Sequence, residues 1–93
     1  MTIGVLYLDY LVPGAASLKD KRRVVKSLIA QMRSRFNCAV AETDHNDLWQ
    51  RARITAVVVS NDSRHANTMC NEIARFAEAH AAALLTNYEI EML

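Results

Sequence analysis

The fold is decided by the stretch RARITAVVVS, residues 51–60. From Ile54 onward it is almost continuously apolar and rich in β-branched residues, which is typical of a central strand buried on both faces or nearly so. The chain has 93 residues, which is enough for one small domain covering residues 1–93 and little else. We therefore expect one sheet built around this strand, with the remaining elements packed against it.

Upstream of this strand, the pattern predicts a strand followed by a helix. Residues 2–12 are rich in Ile, Val, Leu and Tyr, and Pro13-Gly14 stops them. Ser17-Leu-Lys-Asp20 has the form of a capping box, and apolar residues at helical spacing follow as far as Phe36. Asn37 is the expected stop, because Asn tolerates the left-handed conformation that often ends a helix.

The remaining segments supply two more strands and a second helix. Residues 38–44 are compatible with a short strand that leads into turn-forming residues. After the central strand, residues 61–63 offer several N-caps, and apolar spacing from 66 to 77 predicts a helix that ends at 80–83. Residues 84–93 alternate between apolar and polar, which predicts a last strand.

The resulting order, β-α-β-β-α-β, consists of two β-α-β halves of similar length. It predicts an α+β, ferredoxin-like fold: a four-stranded antiparallel sheet with two helices on one face. The open face would then carry Tyr7, Asp9, Arg53, Thr55, Glu89 and Glu91. In this topology the hairpin loop 44–51 lies at the same edge of the sheet as the start of the first helix.

Charge is distributed unevenly along the chain. The net charge is +1, but residues 17–36 hold seven basic residues and one acid, so this segment carries +6 and the remainder −5. On a helical wheel, five of the basic residues fall within an arc of about 100°. They are Lys19, Arg22, Arg23, Lys26 and Arg33, whereas Lys21 and Arg35 fall on the other flank. Such a cluster is typical of surfaces that bind phosphate backbones, although an ordinary solvated helix face is an equal alternative.

A second group of candidate binding residues lies in the hairpin loop. They are His45, Asp47, Trp49, Gln50 and Arg51. Trp49 is the only Trp in the chain, and it could anchor a partner or stack on a base. It could equally fold back to cover the core beneath the hairpin. The third strand carries no aromatic residue, which disfavours base stacking on the sheet as RNA-recognition motifs perform it.

The sequence predicts no catalytic residues, no cofactor and no small-molecule substrate. A metal site in Asp44-His45-Asn-Asp47 is an alternative, but turn chemistry explains these acids as well. Cys38 and Cys70 have no metal-ligand spacing, so we expect two buried, reduced thiols, with a disulfide as the alternative. No run approaches the roughly 20 apolar residues of a membrane span. Residues 1–12 are apolar, but no Lys or Arg precedes them, they alternate and they carry Asp9, so they predict a strand and not a signal peptide, and we expect a cytoplasmic protein.

Two motifs closely resemble the YlxP-like bacterial proteins, a family of unknown function. They are SLKDKRRVVKSL at residues 17–28 and AETDHNDLWQR at residues 41–51, with similar ends at 3–6 and 88–91. The resemblance covers essentially the whole chain and implies a ferredoxin-like fold. The family's genes tend to lie among those for translation initiation and ribosome maturation, which implies an RNA or ribosome context. Family members often carry His before the capping Ser, where this chain has Ala16, so no role of that His transfers.

Three functional hypotheses follow. The first is a non-enzymatic module that binds RNA or a ribosomal particle through the basic face of the first helix. The second is a protein-interaction or homo-oligomerising module that uses the sheet face or an edge strand. A metal-dependent enzyme at loop 44–47 ranks third.

Overall fold

The computed structural model describes residues 1–80 and 82–93. Its elements are β1 (Thr2–Leu11), α1 (Leu18–Arg35), β2 (Ala39–Asp44), β3 (Arg51–Ser60), α2 (Ser63–Glu78) and β4 (Leu84–Met92). This order confirms the predicted α+β, ferredoxin-like fold. The ends of the four strands differ from the predicted ones by at most one residue.

The four strands form one antiparallel sheet in the order β2-β3-β1-β4. In the central pair, Tyr7 of β1 lies opposite Thr55 of β3. On the other side of β1, Glu89 of β4 lies opposite Tyr7. The stretch 51–60 is therefore an inner strand between β1 and β2, as its apolar run predicts. The expectation that it is buried on both faces is wrong, because Val58 on the helix side is 1% exposed whereas Val59 on the other face is 63% exposed.

Both helices pack on one face of the sheet. Leu6 and Leu8 of β1 point to this face and are fully buried. They share one hydrophobic cluster with Leu28 of α1 and Ile73 of α2. Burying such a side chain stabilises the folded state by about 1.5–3 kcal/mol, so this layer between helices and sheet supplies most of the hydrophobic stabilisation.

α1 begins at the predicted capping box. Ser17 Oγ accepts a hydrogen bond from the backbone N–H of Asp20 at 3.1 Å. The Asp20 carboxylate in turn accepts from the backbone N–H of Ala16 at 3.1 Å. Two N–H groups at the helix start are thereby paired, and the only acid of the basic segment is used in the cap.

The end of α1 differs from the prediction. The helix closes at Arg35, and its C-cap, Phe36, is extended with φ of −131°. The extended backbone directs the Phe36 ring edge-on against Phe76 of α2, with 5.7 Å between the ring centroids. The predicted left-handed stop at Asn37 is wrong. A left-handed residue has a positive φ, and among the non-glycine residues that the structure describes only His45 has one.

α2 starts at Ser63 and is capped by Asp62, one of the expected caps, whose Oδ1 accepts from the backbone N–H of Arg64 at 3.0 Å. The helix ends at Glu78. Of the predicted end at 80–83, Ala81 lies outside the described residues.

α2 approaches the sheet closely at Gly4. A Cβ on Gly4 would lie 2.9 Å from Cys70 Sγ and 3.0 Å from Val58 Cγ2, so a side chain there would displace the helix or the strand. Cys70 is buried in this contact, and burial raises the pKa of its thiol. Cys38 is only partly buried, and both cysteines are free.

The open face carries the predicted polar row. Arg53 Nε donates to Asp9 Oδ1 at 2.9 Å, and this bond raises the pKa of Arg53. The Tyr7 hydroxyl donates to Glu91 at 3.0 Å, which raises the pKa of Tyr7. These polar residues therefore bond to one another across neighbouring strands.

Two β-bulges interrupt the sheet at the end nearest the β2–β3 hairpin. The extra residue is Thr43 in β2 and Thr86 in β4. A bulge shifts the in-and-out alternation by one residue. As a result Asp44 pairs with Arg53 on the open face, and Leu85 packs against the core.

Candidate nucleic-acid interface

Four of the predicted phosphate-binding residues form one exposed surface on α1, which we call the basic face. They are Lys19, Arg22, Arg23 and Lys26. Among the described residues the ion pairs join Lys21 to Glu42, His45 to Asp44 and Arg53 to Asp9, and none includes a residue of the basic face. The basic face therefore presents four cationic groups to solvent without a carboxylate partner.

Arg33, the fifth predicted residue, lies further along α1 and is partly engaged. Its side chain is exposed, but Nη2 donates to the backbone carbonyl of Val40 at 3.0 Å. Val40 belongs to β2, an outer strand of the sheet. Arg33 thus ties α1 to the edge of the sheet, and its remaining N–H groups are left for a ligand.

Lys21 lies on the other flank of α1 from the basic face, as the helical wheel predicts, and it is not available to a ligand there. Lys21 is fully buried, and among the described residues it is the only charged residue in the core. Its place on the helix explains this, because Val25, Leu28 and Met32 follow it at spacings of four, seven and eleven on the same buried stripe. Arg35 is exposed as predicted, and its guanidinium lies over the Phe76 ring, 4.8 Å from the centroid.

Lys21 joins α1 to the β2–β3 hairpin. Its Nζ donates to three backbone carbonyls, those of His45 at 2.6 Å, Arg51 at 3.1 Å and Asn46 at 3.3 Å. Glu42 Oε2 lies 2.9 Å from Nζ but accepts no aligned hydrogen bond. An ammonium group has three N–H donors, so with three carbonyls bound the contact with Glu42 is ionic.

This arrangement confirms that the hairpin loop lies beside the start of α1. Gln50 strengthens the contact, because its Nε2 donates to the carbonyls of Ala15 at 3.2 Å and Pro13 at 3.4 Å. Its backbone carbonyl also accepts from Val12 N at 2.9 Å. The Gln50 end of the loop is therefore fixed to the segment that leads into α1, and the His45 end is fixed to α1 itself through Lys21.

The side chains of the predicted interaction loop have different environments. Trp49 is 56% exposed, so it does not cover the core, and the interpretation that it folds back is wrong. The next residue, Gln50, holds the loop against Pro13 and Ala15, and the indole ring of Trp49 faces solvent. Asp47 and Arg51 are also exposed, whereas His45 is half-buried. His45 adopts φ of 62°, which lets the chain turn immediately after β2.

Sequence reasoning missed the pair formed by Lys21 and Glu42, although both positions carried a signal. Lys21 occupies the apolar stripe of α1, and Glu42 follows Val40 at the inward-facing spacing of a strand. A lysine and a glutamate at inward positions of neighbouring elements indicate a buried ion pair. The two bulges gave no comparable signal, because Thr is common in regular strands.

The alternative metal site in loop 44–47 has no matching cluster of ligands among the described residues. Among residues 1–80 and 82–93, no group of three His, Cys, Asp or Glu side chains is arranged to hold a metal ion. Asp44 Oδ1 accepts from the backbone N–H of His45 at 2.8 Å, the turn role expected of such an acid. No helix in the same residues is long and apolar enough to cross a membrane.

The fold and this surface define a class: a small α+β protein with a solvent-facing basic helix beside a fixed hairpin loop. A family model described as "Protein of unknown function (DUF503)" matches residues 3–90. The chain therefore belongs to the DUF503 family, and the resemblance to YlxP-like proteins is confirmed.

A curated relative is the "Uncharacterized protein YlxP" of Bacillus subtilis (strain 168). It is 32% identical to this chain over 59 residues, which is 63% of this chain and 64% of the relative. The aligned part is thus less than two thirds of the relative's length. Neither description assigns an activity, a substrate or a partner.

Proposed function

We propose that the protein is a non-enzymatic module that binds RNA, free or within a ribosomal particle, through the basic face of α1. The observation that carries the proposal is the exposure of Lys19, Arg22, Arg23 and Lys26 without any carboxylate partner among the described residues. Unpaired cations attract a polyanion, and the release of its counterions supplies much of the binding free energy.

The length of the basic face suits a nucleic-acid strand. From Lys19 to Arg33 the helix rises about 21 Å at 1.5 Å per residue, which lets several successive phosphates be contacted. Lys19 lies in the first turn of α1, where the helix dipole disfavours a cation. A phosphate bound at this end would face both the positive end of the dipole and the cationic side chains.

The test compares two double charge reversals with the same net charge. Arg22→Glu/Arg23→Glu alters the basic face, and Arg64→Glu/Arg75→Glu alters exposed arginines of α2. Binding of a labelled RNA oligonucleotide is measured by fluorescence anisotropy over a range of salt concentrations. We expect the α1 variant to bind at least about tenfold more weakly and to lose about 1.4 from the slope of log K against log salt, which is two phosphate contacts.

The α2 variant should bind nearly as the unaltered protein does. Equal weakening by both variants would mean that only net charge matters, and no weakening by either would contradict the proposal. Sedimentation of the tagged protein from lysate at low and high salt separates free RNA from a ribosomal particle. Migration with particles at low salt only is the expected sign of an electrostatic contact with the particle.

A second candidate function is self-association through the open face of the sheet. It is favoured by an apolar group on this face, formed by Ile3, Val5, Val57 and Val59, of which Val59 is 63% exposed. Light scattering over a dilution series tests it, together with Val59→Lys. A larger particle that dissociates on dilution and is lost in the variant would support this candidate, and a strict monomer would contradict it.

A further inference from the structure

A cleft of about 390 Å³, lined by polar and apolar groups in equal measure, opens on the side of the sheet away from the helices, beside the hairpin. The side chains that matter for its chemistry are Asp9, Asp44, His45, Arg51, Arg53 and Asn87. This volume lies within the range of sites that bind small molecules or single groups of a larger ligand. The basic face lies on the helix side of the same end of the molecule.

Departures from regular backbone converge on this cleft. The bulge at Thr43 turns Asp44 toward it, and the bulge at Thr86 lies on its opposite wall. His45, with φ of 62°, forms part of its rim. Bulges of this kind are found next to binding sites, where they redirect side chains. Three such features at one place set the shape of the cleft and the side chains that face it.

The charges of the cleft are balanced. Arg53 is held by Asp9 through two hydrogen bonds, at 2.9 and 3.4 Å. Arg51 and Asp44 add one charge of each sign. A phosphate would meet as many carboxylates as guanidinium groups, so the cleft does not favour an anion. It offers acceptors and donors side by side, which suits an uncharged planar group with a mixed hydrogen-bonding edge, such as a nucleobase.

Trp49 lies in the loop between the cleft and the basic face. The loop borders the cleft through His45 and Arg51 and is fixed to the start of α1 by Gln50. The indole is 56% exposed, and an exposed aromatic ring at such a place can stack on a base of any type. A strand whose phosphates follow α1 would therefore pass Trp49 before reaching the cleft.

We propose that the cleft receives one unpaired base of a single-stranded RNA, held by its hydrogen-bonding edge, while a neighbouring base stacks on Trp49. The base is one with an exocyclic amino group, which donates to the Asp44 carboxylate, and Asn87 and Arg51 donate to its acceptors. This inference rests on the proposed function, because the phosphates of the same strand lie on the basic face.

The test uses two ligands that carry the same number of phosphates, oligocytidylate and oligouridylate of about ten nucleotides, a length within the site sizes of single-strand binders. Cytosine has the exocyclic amino group and uracil lacks it. We expect the protein to prefer oligocytidylate by at least about fivefold, the lower end of what one good base contact discriminates. Fluorescence of Trp49 should be quenched by both ligands, because stacking tolerates any base.

Asp44→Asn and the matched control Asp47→Asn remove the same charge from one loop. Asp44 lines the cleft and Asp47 does not. We expect Asp44→Asn to abolish the preference for oligocytidylate and Asp47→Asn to keep it. If phosphate attraction alone acted, both variants would bind both ligands slightly more tightly. Equal binding of the two ligands, or the same response in both variants, would overturn the inference while leaving the proposed function intact.

Absence of binding to both oligonucleotides would overturn the single-strand part of the inference, whereas the proposed function, which includes RNA within a ribosomal particle, is then decided by the sedimentation experiment. The cleft is then tested by titrating the ¹⁵N-labelled protein with cytidine, which has no phosphate. Chemical-shift changes at the amides of Thr86 and Asn87 would support a base site, and their absence would overturn it. The same spectra show whether each variant is folded.

Discussion

Buried and exposed polar side chains are used differently in this molecule. The buried ones bond to backbone carbonyls: Lys21 Nζ to three of them, and the Tyr10 hydroxyl to that of Ala77 at 2.9 Å. The exposed cations Arg22 and Arg23, directly next to Lys21, have no ion-pair partner among the described residues. Lys21 thus stabilises the fold, whereas the neighbouring Arg22 and Arg23 are free to contact a ligand.

The difference shows what determines the role of a charged residue. A buried ammonium must replace all of its bonds to water, so it is found only where the backbone supplies acceptors. An exposed guanidinium keeps its water and needs no partner from the chain. Altering a buried polar group should therefore change the free energy of unfolding, and altering an exposed one should change binding.

The largest expected effect comes from Lys21→Met. The substitution leaves the Glu42 carboxylate and three carbonyls without their partner, and breaking a buried pair in this way costs about 3–5 kcal/mol. Urea unfolding followed by circular dichroism measures the loss. Arg22→Ser is the control on the outer side of the helix, and we expect it to change stability by no more than about 0.5 kcal/mol.

A second variant separates the charge from the packing. Lys21→Met/Glu42→Leu removes both members of the pair, so we expect it to be more stable than Lys21→Met alone. A Lys21→Met protein as stable as the Arg22→Ser control would mean that the buried ammonium holds nothing together.

Tyr10 provides the next test, through pH. The hydroxyl is buried, and burial raises the pKa of Tyr10 above its usual value. In the unfolded chain Tyr ionises near pH 10, whereas the folded chain keeps the proton to higher pH. The stabilisation is complete below about pH 10 and is lost as pH rises through the folded pKa, so stability falls on the alkaline side.

Tyr10→Phe should make this alkaline fall shallower. Near neutral pH the variant should lose about 1 kcal/mol, the value of one hydrogen bond, because Ala77 loses its donor. Urea midpoints at about pH 8 and about pH 10.5 measure both effects. The raised pKa values of Tyr7, Cys38 and Cys70 act in the same direction and remain in the variant, so some fall persists. An unchanged pH dependence would show that Tyr10 does not contribute to it.

The smallest expected change in stability is that of Lys19→Glu, which tests the exposed side of α1. Lys19 lies in the first turn of α1, where a carboxylate is more favourable than a cation. We expect Lys19→Glu to raise stability by about 0.3–1 kcal/mol and to weaken RNA binding. Thermal unfolding and fluorescence anisotropy measure the two quantities. If stability and RNA binding both increased, or both decreased, the exposed side of α1 would not be used for binding at a cost in stability.

The sequence predicts the fold because the fold depends on patterns that repeat. The apolar run in β3, the capping box at Ser17 and the alternation in β4 each follow from burial and backbone geometry. The position of the hairpin loop beside α1 also follows, since strand directions set which ends of the elements meet. The burial of Lys21 is a prediction that the helical wheel allows and that was not made, because its position on the wheel, away from the five basic residues, is shared with Val25, Leu28 and Met32.

Other features depend on interactions that the sequence does not display. The exposure of Trp49 depends on which neighbour anchors the loop, and Gln50 does so through carbonyls of Pro13 and Ala15. Every residue has a backbone carbonyl, so no pattern of side chains predicts the contact that Gln50 makes. The cleft likewise depends on two bulges, which shift register without a distinctive residue.

The bond between Arg33 and Val40 has a consequence for the behaviour of the protein at high concentration. β2 is an outer strand, and an unprotected outer strand can be extended by a strand from another molecule, which leads to aggregation. With its guanidinium on the Val40 carbonyl, Arg33 occupies an acceptor that an incoming strand would use. One residue of the basic helix thereby helps to keep the chain from aggregating, whatever it binds.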